Sequence, residues 1–546
     1  MKLKGAEIVL KTLLEEKVDT LFGYPGGAVI PLYDALYDYG EQFTHILTAH
    51  EQGATHGADG YARSTGKVGV VFATSGPGAT NTVTGIANAY MDSVPLVVIT
   101  GQVSRTFLGK DSFQEMDITT MVSPITKATF LVQEIEDLQD TIKKAFQIAK
   151  RPRMGPVLID IPKDLFVEEY KYEEKDKSEV FHRETKDEEI ETFAKMINQS
   201  KKPLIYAGGG LIASNSCEKL RQLVDCEIPV VTSLMAQGAV DYRHPYNLGH
   251  VGMHGSNRAN YAVEHCDLLI SLGTRFSDRV AGNEKNFAPH AKVLQVDISR
   301  SELGKNKAIH DSIWGDLAQV MPLLAEKVKR KDRQSWIEEL QRVQEITKSR
   351  NWSERNILTT LRKYMGDDGI ICTDVGQHQM WTSQFYGFST PRTFITSAGL
   401  GTMGFGLGAA IGSKVGNPDK NVCLVTGDGS FRMNLNELAT VSKYDFKILV
   451  LVMNNHALGM VRQWQEIFQE KRYSQTLISD DVNFVALAEA FHLKGRQATN
   501  MLELEEALQD YTKGNSAMVI DVHIPQEDNV YPMIPAGGGY KDIILN

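Results

Sequence analysis

The residues with the clearest chemical potential are an aspartate and an asparagine in the last third of the chain. Asp428 directly follows the apolar run VCLVTG, and Asn455 comes just after the run ILVLVM. Such runs predict strands buried on both faces, and the carboxyl ends of parallel strands form the edge where open sheets bind ligands. Mg²⁺ binds carboxylate, amide and phosphate oxygens. We therefore predict that Asp428 and Asn455 hold Mg²⁺ on a diphosphate, which glycine backbone can approach closely.

The spacing between these residues makes the prediction more specific. Taken alone, GDG (427–429) and NN (454–455) are ordinary turn sequences. Together they are separated by 24 residues, 430–453, and each follows a predicted strand. This arrangement is similar to the GDG-x24-NN signature of enzymes that use thiamine diphosphate.

Enzymes that use this cofactor also need a carboxylate beside its pyrimidine ring, and a glutamate near the N-terminus is a candidate. Glu51 lies in TAHEQGATHGADGYAR, after a short apolar stretch and before a predicted helix of small residues. The resemblance implies that the cofactor reacts as an ylid at its C2 carbon. It also implies that a carboxylate at the pyrimidine N1′ promotes ylid formation, and we assign that role to Glu51. A lone glutamate is usually a surface charge, but the segment ATSGPGATN (73–81) strengthens the assignment.

A glycine motif before Asp428 has two interpretations. The segment 399–404 reads GLGTMG and matches the G-x-G-x-x-G pattern of dinucleotide sites. The segment that follows it is the GDG segment, rather than a strand ending in an acidic residue that binds ribose. We therefore interpret 399–408 as a close-packed turn and helix start beside the thiamine, with Met403 under the pyrimidine.

The elements that must position these residues are apolar runs that alternate with helical stretches. This pattern predicts an α/β protein of three domains, each a mainly parallel sheet flanked by helices. Charged stretches at 168–189 and 327–356 are interpreted as solvated linkers or helix faces. They give domains at 1–170, 190–335 and 355–546, and Gly-rich turns in the outer two indicate related folds. The predicted strands are 68–74, 95–101, 156–162, 203–208, 229–234, 268–273, 292–298, 369–376, 422–427, 448–454 and 518–524.

Composition narrows the class of protein. A formal net charge of −10 argues against a nucleic-acid binder, which needs a cationic surface. The five cysteines form no C-x-x-C pair and indicate thiols in a reducing compartment. The N-terminus lacks the pattern of a secretory signal, and no apolar run approaches the ~20 residues of a spanning helix. We expect a cytoplasmic enzyme with no membrane partner.

Motifs along nearly the whole chain extend the resemblance. They are GYPGGAVIPLYDAL, AHEQGATHGADGYARSTGK, SGPGATN, SFQE, GPVLIDIPKD, VGMHGS, TRFSDRVAG, DVGQHQMW, TMGFGLGAA, GDGSF, NNHALGMVRQWQ and NVYPMIP. The chain resembles the large catalytic subunit of acetohydroxyacid (acetolactate) synthases. The resemblance implies a transferase that decarboxylates pyruvate and passes the hydroxyethyl unit to a second pyruvate or to 2-oxobutanoate. The products are 2-acetolactate or 2-aceto-2-hydroxybutanoate, in the biosynthesis of branched-chain amino acids.

The resemblance also implies roles for individual residues. Arg279 would bind the carboxylate of the second substrate, Trp464 would favour 2-oxobutanoate over pyruvate, and Lys163 would lie at the pocket mouth. Phe113 and Gln114 would act near C2 with Glu51, and the backbone oxygen of Ala457 would complete the metal site. The remaining thiamine diphosphate positions are Gly376, Gln377, His378, Met403, Gly429, Ser430 and Met460. The FAD positions are Arg153, Gly208, Gly209, Gly210, Met253, His254, Gly255, Gly273, Arg275, Asp278, Asp297 and Asp316.

Some alternatives stay open at this point. Gly208–Gly210 is also a common flexible turn, and His378 could be a structural histidine. The usual R-F-D-D-R of the family reads RFSDR here, and AGGG (536–539) follows NVYPMIP near the C-terminus. These departures affect the details of the segments expected to cover the substrate pocket, but not the family resemblance. A pyruvate oxidase-like enzyme with FAD, a catabolic synthase without FAD and a noncatalytic paralogue are the rival functions. The resemblance further implies a homodimer or a dimer of dimers, and a regulatory small subunit.

Overall fold

Three parallel sheets of six strands each form the framework of the protein, and each third of the chain contributes one of them. The computed structural model describes residues 1–177, 184–345, 350–478 and 482–545. Helices flank each sheet, and the central strands are almost entirely buried, whereas edge strands such as β6 (Ala128–Leu131) and β19 (Lys494–Ala498) are partly exposed. A small antiparallel pair, β1 (Lys2–Lys4) and β8 (Glu169–Lys171), joins the two ends of the first third. The predicted α/β class with three sheets is confirmed.

The N-terminal sheet has the strand order β3-β2-β4-β5-β7-β6. Its strands are β2 Thr20–Gly23, β3 Thr44–Leu47, β4 Gly69–Ala73, β5 Leu96–Gln102, β6 Ala128–Leu131 and β7 Val157–Pro162. Its helices are α1 Gly5–Glu15, α2 Ile30–Asp38, α3 Glu51–Thr65, α4 Pro77–Thr80, α5 Val83–Asp92, α6 Ile118–Val122 and α7 Leu138–Lys150, with 3-10 segments at Arg105–Phe107, Ser123–Ile125 and Ile135–Asp137.

The middle sheet has the order β11-β10-β9-β12-β13-β14. Its strands are β9 Pro203–Ala207, β10 Val230–Thr232, β11 Asn247–His250, β12 Leu268–Leu272, β13 Lys292–Asp297 and β14 Asp311–Trp314. Its helices are α8 Asp187–Gln199, α9 Gly209–Ala213, α10 Cys217–Val224, α11 Asn257–His265, α12 Asp278–Ala281, α13 Leu317–Lys327 and α14 Gln334–Gln341, with 3-10 segments at Leu234–Ala236 and Arg300–Glu302.

The C-terminal sheet has the order β16-β15-β17-β18-β20-β19. Its strands are β15 Ile370–Thr373, β16 Phe394–Thr396, β17 Val422–Gly427, β18 Ile448–Asn454, β19 Lys494–Ala498 and β20 Met518–His523. Its helices are α15 Glu354–Met365, α16 Gln377–Phe385, α17 Gly406–Gly416, α18 Asp428–Phe431, α19 Leu438–Lys443, α20 Gly459–Phe468, α21 Phe484–Ala490 and α22 Met501–Lys513, with 3-10 segments at Leu435–Glu437 and Tyr540–Asp542.

Strand order relates the outer two sheets and sets the middle one apart. Numbered within its own sheet, each outer sheet runs 2-1-3-4-6-5, whereas the middle sheet runs 3-2-1-4-5-6. The middle order is that of doubly wound dinucleotide-binding folds. In all three sheets, ligands are expected at the carboxyl ends of the strands where the order reverses. These switch points lie between β2 and β4, between β9 and β12, and between β15 and β17.

The N-terminal and C-terminal sheets are joined by two helices in close contact, α3 and α17. A Cβ atom added at Gly412 would lie 1.8 Å from the carbonyl oxygen of Gly57, and one at Gly60 would lie 2.2 Å from that of Ala409. Only glycine permits backbone to approach backbone this closely. The helix that starts at Glu51 is therefore fixed directly against the C-terminal third.

All eleven predicted strands are present, most of them shortened by one to three residues. The charged stretches were only partly interpreted correctly. The stretch 327–356 contains α14, whose Trp336 is buried against the middle sheet, so it belongs to a packed element rather than a linker. Its residues 346–349, and residues 178–183 of the other stretch, lie outside the described part of the chain. The domain limits stay a prediction.

None of the described helices combines the length and the apolar character that crossing a bilayer requires.

Candidate active site

The predicted diphosphate residues lie together at the switch point of the C-terminal sheet. Asp428 begins α18 directly after β17, and Asn455 directly follows the neighbouring strand β18. The Asn455 side-chain N–H donates to Gln377 Oε1 at 3.1 Å, and its Oδ1 accepts from the backbone N–H of Ala457 at 3.2 Å. Gln377 starts α16 after β15, so residues from three adjacent strand ends converge.

Asp428 has the surroundings of a cation ligand. Its side chain is buried, and neither carboxylate oxygen has a hydrogen-bond partner among the described residues. Burial raises the pKa of this carboxyl to about 6, although the nearby backbone N–H groups of Asp428 and Asn455 oppose the shift. A buried carboxylate without a partner is costly, and a bound cation would offset that cost.

The composition of this group favours magnesium over a transition metal. No cluster of three or more His, Cys, Asp and Glu side chains suited to a metal occurs in the described residues. A cation at Asp428 would therefore depend on amide, carbonyl and phosphate oxygens, which Mg²⁺ prefers.

His378 lies in a space that two glycines create. A Cβ atom at Gly376 or at Gly427 would come within 2.9 Å of the imidazole ring. Burial lowers the pKa of His378 to about 3, so the ring is neutral near pH 7, and its Nε2 has no partner in the described chain. Close to the same edge, Ser430 Oγ accepts from the backbone N–H of Gly404 at 3.4 Å, which joins the GLGTMG turn to this group.

Three other predicted cofactor positions surround the same strand ends. Met403 is half-buried in the turn before α17. Met460, in α20, packs against the core beneath the C-terminal sheet. A Cβ atom at Gly429 would lie 2.6 Å from a methyl group of Leu458, so this glycine allows α18 to approach the segment before α20.

Glu51 is the first residue of α3 and is buried. Its Oε2 accepts from Asn81 Nδ2 at 2.9 Å, and a Cβ atom at Gly78 would lie 3.2 Å from its Oε1. Asn81 belongs to the SGPGATN segment but was not singled out from the sequence, because its contact with Glu51 spans 30 residues. The Asn81 amide therefore orients the Glu51 carboxylate. Because Gly78 has no side chain, nothing at that position blocks the other oxygen, Oε1.

Within one chain the two groups are not directly bonded. The described residues show no hydrogen bond or ion pair between Glu51 and the Asp428, Asn455 and Gln377 group. Phe113 and Gln114 lie on the loop between β5 and α6, where the Phe113 side chain is 88% exposed. The backbone of Gln114 has a φ of 60° and lies against Gly76.

Two of the residues predicted to choose the second substrate are neighbours. The Arg279 guanidinium carbon lies 6.0 Å from the centre of the Trp464 ring. Met253, predicted for FAD, also contacts Arg279 through its sulfur, at 3.9 Å. The C-terminal segment closes over the same region, where Gly537 O accepts from Asn283 Nδ2 at 3.0 Å. Lys163, at the end of β7, is not in this group and lies half-buried beside Gln102, whose backbone oxygen accepts its N–H.

The residues predicted for FAD follow the strands of the middle sheet along one edge. Gly208 and Gly273 follow β9 and β12, the pair at the switch point, and Asp297 and Asp316 end or follow β13 and β14. Asp278 starts α12 after β12, and Met253, His254 and Gly255 follow β11 at the sheet edge. Burial lowers the pKa of His254 to about 3 and raises that of Asp297 to about 6.

The glycines at this switch point also have a packing role. A Cβ atom at Gly208 would lie 2.0 Å from the Gly273 carbonyl oxygen, and one at Gly210 would lie 2.8 Å from the Gly273 Cα. One at Gly209 would have only the Met235 side chain near it. Two arginines lie close enough to Asp297 to oppose the rise in its pKa that burial causes: Arg275 donates to Met91 O at 2.7 Å and Arg153 donates to Ser93 Oγ at 2.6 Å.

Comparison with known proteins identifies all three thirds of the chain. Residues 3–121, 190–324 and 374–522 match the N-terminal TPP binding domain, the central domain and the C-terminal TPP binding domain of thiamine pyrophosphate enzymes. The chain is 42% identical to the acetolactate synthase isozyme 2 large subunit of Escherichia coli, over 99% of both chains. It is 44% identical to the acetolactate synthase large subunit of Lactococcus lactis, over 98% of this chain and 94% of that one.

The chain belongs to the acetolactate synthase large-subunit family. A probable acetolactate synthase large subunit of Methanocaldococcus jannaschii matches as well, at 42% identity over 99% of this chain and 95% of that one. The expected activity and cofactor are confirmed: this is an acetolactate synthase that depends on thiamine diphosphate. The roles of individual residues in this acetolactate synthase stay predictions.

Proposed function

We propose that this acetolactate synthase works in branched-chain amino-acid biosynthesis, with Mg²⁺ and FAD as well as thiamine diphosphate. The observation that carries the Mg²⁺ part of the proposal is the buried, unpartnered carboxylate of Asp428 beside Asn455 at a sheet switch point. Asp428, Asn455 and the backbone oxygen of Ala457 would hold Mg²⁺ on the diphosphate. His378 and Gln377 would hold its phosphate oxygens, and the backbone of Gly376, Gly429 and Ser430 would approach it closely.

When bound, thiamine diphosphate supplies the carbon nucleophile that attacks pyruvate and stabilises the negative charge left when CO₂ departs. Glu51 would hold the proton shared with the pyrimidine N1′, oriented by the amide of Asn81. Met403 and Met460 would bound the pyrimidine and thiazolium pocket. Phe113 and Gln114 would close the reacting centre and exclude water, which otherwise competes with the second oxo acid.

The second substrate would be chosen by Arg279 and Trp464. A guanidinium binds a carboxylate with two parallel hydrogen bonds. The indole face next to it can distinguish the extra methylene of 2-oxobutanoate, a difference of about 1–3 kcal/mol. The 6.0 Å spacing of these two groups supports a shared subsite. Lys163 is proposed for the pocket mouth on family resemblance alone.

FAD is proposed for the switch point of the middle sheet. The 3-2-1-4-5-6 strand order supports a dinucleotide there, as does the convergence of the predicted FAD residues on one edge. Arg153 and Arg275, which lie near Asp297, are cationic groups that suit a pyrophosphate. The close packing of Gly208 and Gly210 against Gly273 stabilises the sheet whether or not a ligand is bound.

Assembly and location complete the proposal. Glu51 and the diphosphate group are proposed to serve one cofactor across the interface of a homodimer, or of a dimer of dimers. This assembly is proposed on family resemblance. The relatives are named large subunits, and a regulatory small subunit is proposed for this chain on that basis. The free cysteines suit a cytoplasmic location.

Product analysis tests the proposed function. Purified protein with Mg²⁺ and thiamine diphosphate should convert pyruvate to 2-acetolactate. When pyruvate and 2-oxobutanoate are supplied together, the ratio of 2-aceto-2-hydroxybutanoate to 2-acetolactate should exceed the concentration ratio of 2-oxobutanoate to pyruvate. The absorbance spectrum should show bound flavin. Acetolactate without flavin would support the catabolic type instead. Acetate or acetyl phosphate formed with flavin reduction would support a pyruvate oxidase. Replacing Glu51 with Gln should lower turnover by about 100-fold or more.

A further inference from the structure

A fully buried glutamate of the C-terminal third reaches the loop that precedes Glu51. Glu437 ends the 3-10 segment Leu435–Glu437, nine residues after Asp428, and none of its surface is exposed. Fully buried glutamates are rare unless their carboxylates are paired or hydrogen-bonded. Glu437 has no part in the proposed metal, cofactor or substrate sites, so its burial needs another explanation.

Its hydrogen bonds join two distant parts of the chain. Oε1 accepts from the backbone N–H of His50 at 3.0 Å, and Oε2 accepts from the backbone N–H of Ala49 at 3.1 Å. The Thr440 hydroxyl donates to Oε2 at 2.6 Å and orients the carboxylate. Ala49 and His50 immediately precede Glu51, which begins α3. Bonds from N–H groups to a carboxylate are stronger than those between neutral groups.

The first turn of α3 is shaped around this carboxylate. A Cβ atom at Gly53 would lie 2.0 Å from Glu437 Oε1 and 2.4 Å from its carboxyl carbon. The His50 ring accepts from the N–H of Gln52 at 3.1 Å, so it supplies a separate cap. The negative charge also lies at the positive end of a 15-residue helix, where it is stabilised. Burial raises the pKa of Glu437, and the three donors oppose the rise.

We propose that Glu437 is a positioning residue for Glu51: its carboxylate holds the N–H groups of Ala49 and His50 and thereby fixes where α3 begins. The proposal rests on the proposed role of Glu51 at the pyrimidine. A proton shared between a carboxylate and a ring nitrogen needs heavy atoms within about 2.6–3.2 Å of each other. Since a shift of about 1 Å at a reacting group can lower a rate about 100-fold, the start of this helix must be held firmly.

The test compares two variants that disturb this contact with one that does not. Glu437→Gln removes the charge, and its side-chain NH₂ group then faces the backbone N–H of either Ala49 or His50, where no hydrogen bond can form. Gly53→Ala forces the carboxylate away while improving the intrinsic helix propensity of α3. Tyr444→Phe is the matched control, because the Tyr444 hydroxyl also crosses to this loop but accepts from the N–H of Leu47 at 2.8 Å, four residues before Glu51.

The first readout is backbone amide exchange in the cofactor-free protein. Glu437→Gln and Gly53→Ala should each speed exchange at Ala49 and His50 by about tenfold or more. Tyr444→Phe should speed exchange at Leu47 only. Unchanged protection of Ala49 and His50 in both test variants would overturn the proposal. If Glu437→Gln fails to fold, Gly53→Ala alone decides.

The second readout is the rate at which the C2 proton of bound thiamine diphosphate exchanges with deuterium. Both test variants should slow this exchange by about tenfold, with the affinity for thiamine diphosphate and Mg²⁺ unchanged, and Tyr444→Phe should not slow it. Glu51→Gln separates the two proposals. If Glu51→Gln slows C2 exchange but neither test variant does, the positioning role is wrong and the proposed function stands. If Glu51→Gln leaves C2 exchange unchanged, the assignment of Glu51 itself is wrong.

Discussion

At the scale of single residues, the candidate site contains side chains that are buried without a protein partner. Asp428 and His378 both have buried polar atoms that no described residue satisfies, and both lie where the strand order reverses. Such atoms are uncommon in folded proteins, and these two residues lie at the strand ends where a ligand is expected. The sequence identified both residues through their motifs. It missed Asn81 and Glu437, because no local pattern reports that a side chain meets a segment 30 or 387 residues away.

Replacing Asp428 with Asn should separate stability from cofactor binding. The variant removes a buried charge that has no partner, so the melting temperature of the cofactor-free protein should stay equal or rise. The additional stabilisation that Mg²⁺ and thiamine diphosphate give together should fall sharply. Thermal unfolding with and without the two ligands measures both effects. A lower melting temperature of the free protein with full stabilisation by the ligands would contradict the assignment.

Trp464 should control substrate choice rather than overall activity. Replacing it with Leu removes the indole face next to Arg279, and preference for 2-oxobutanoate over pyruvate should fall by about 10-fold or more. The ratio of the two products from mixed oxo acids measures this preference. The acetolactate rate from pyruvate alone should change much less, and an unchanged product ratio would exclude Trp464 from the subsite.

At the scale of elements, α3 and α17 hold the two catalytic thirds together. Because a Cβ atom at Gly412 would lie 1.8 Å from Gly57 O, Gly412→Ala must push the helices apart. We expect a loss of unfolding free energy of about 1–3 kcal/mol and a loss of turnover in the same variant. Denaturant unfolding and the acetolactate assay measure these two effects. Ser413→Ala, at a buried neighbouring position of α17, adds no bulk and should have a smaller effect.

A buried acid on β7 should make stability depend on pH. Burial raises the pKa of Asp160 from its ordinary value near 3.8 to about 7, with Thr100 and Gln102 opposing the shift and Asp117 adding to it. Between about pH 4 and pH 7 the folded protein keeps a proton that the unfolded chain has released. Stability therefore falls as pH rises through this window, by an amount on the order of a few kcal/mol, and is level above it.

The variant Asp160→Asn isolates this contribution. The unfolding free energy of the native protein minus that of the variant should decrease from pH 4 to pH 7 and then stay constant. Denaturant unfolding at several pH values measures the difference. A difference that does not change with pH would show that Asp160 is ionised throughout the range.

Element prediction from sequence succeeded where a strand is long and apolar on both faces. Runs such as ILVLVMN (448–454) matched their strands to the residue. Short strands such as β3 (THIL) and β16 (FIT) were missed, because pairing in the sheet rather than hydrophobic pattern determines them. Helix α14 was hidden in a charged stretch, since only one face carries its buried Trp336.

At the scale of the whole molecule, one strand order occurs in both outer sheets and a different one in the middle sheet. The outer sheets carry Glu51 and Asp428 after their strands, and the middle sheet has the order that suits a dinucleotide. Gly-rich turns in the sequence indicated related outer folds. The order of the strands could not be predicted, because it depends on pairings between residues far apart in the chain.

The central claim is that Glu51 of one copy and the Asp428 group of another serve the same thiamine diphosphate. Complementation tests it directly: the variants Glu51→Gln and Asp428→Ala are unfolded, mixed in equal amounts and refolded. In a mixed dimer, one site then carries both defects and the other carries none. Random pairing makes half the dimers mixed, so about a quarter of the native acetolactate activity should return. If the mixture stays as inactive as the separate variants while refolded native protein is active, both groups belong to one chain and the claim is wrong.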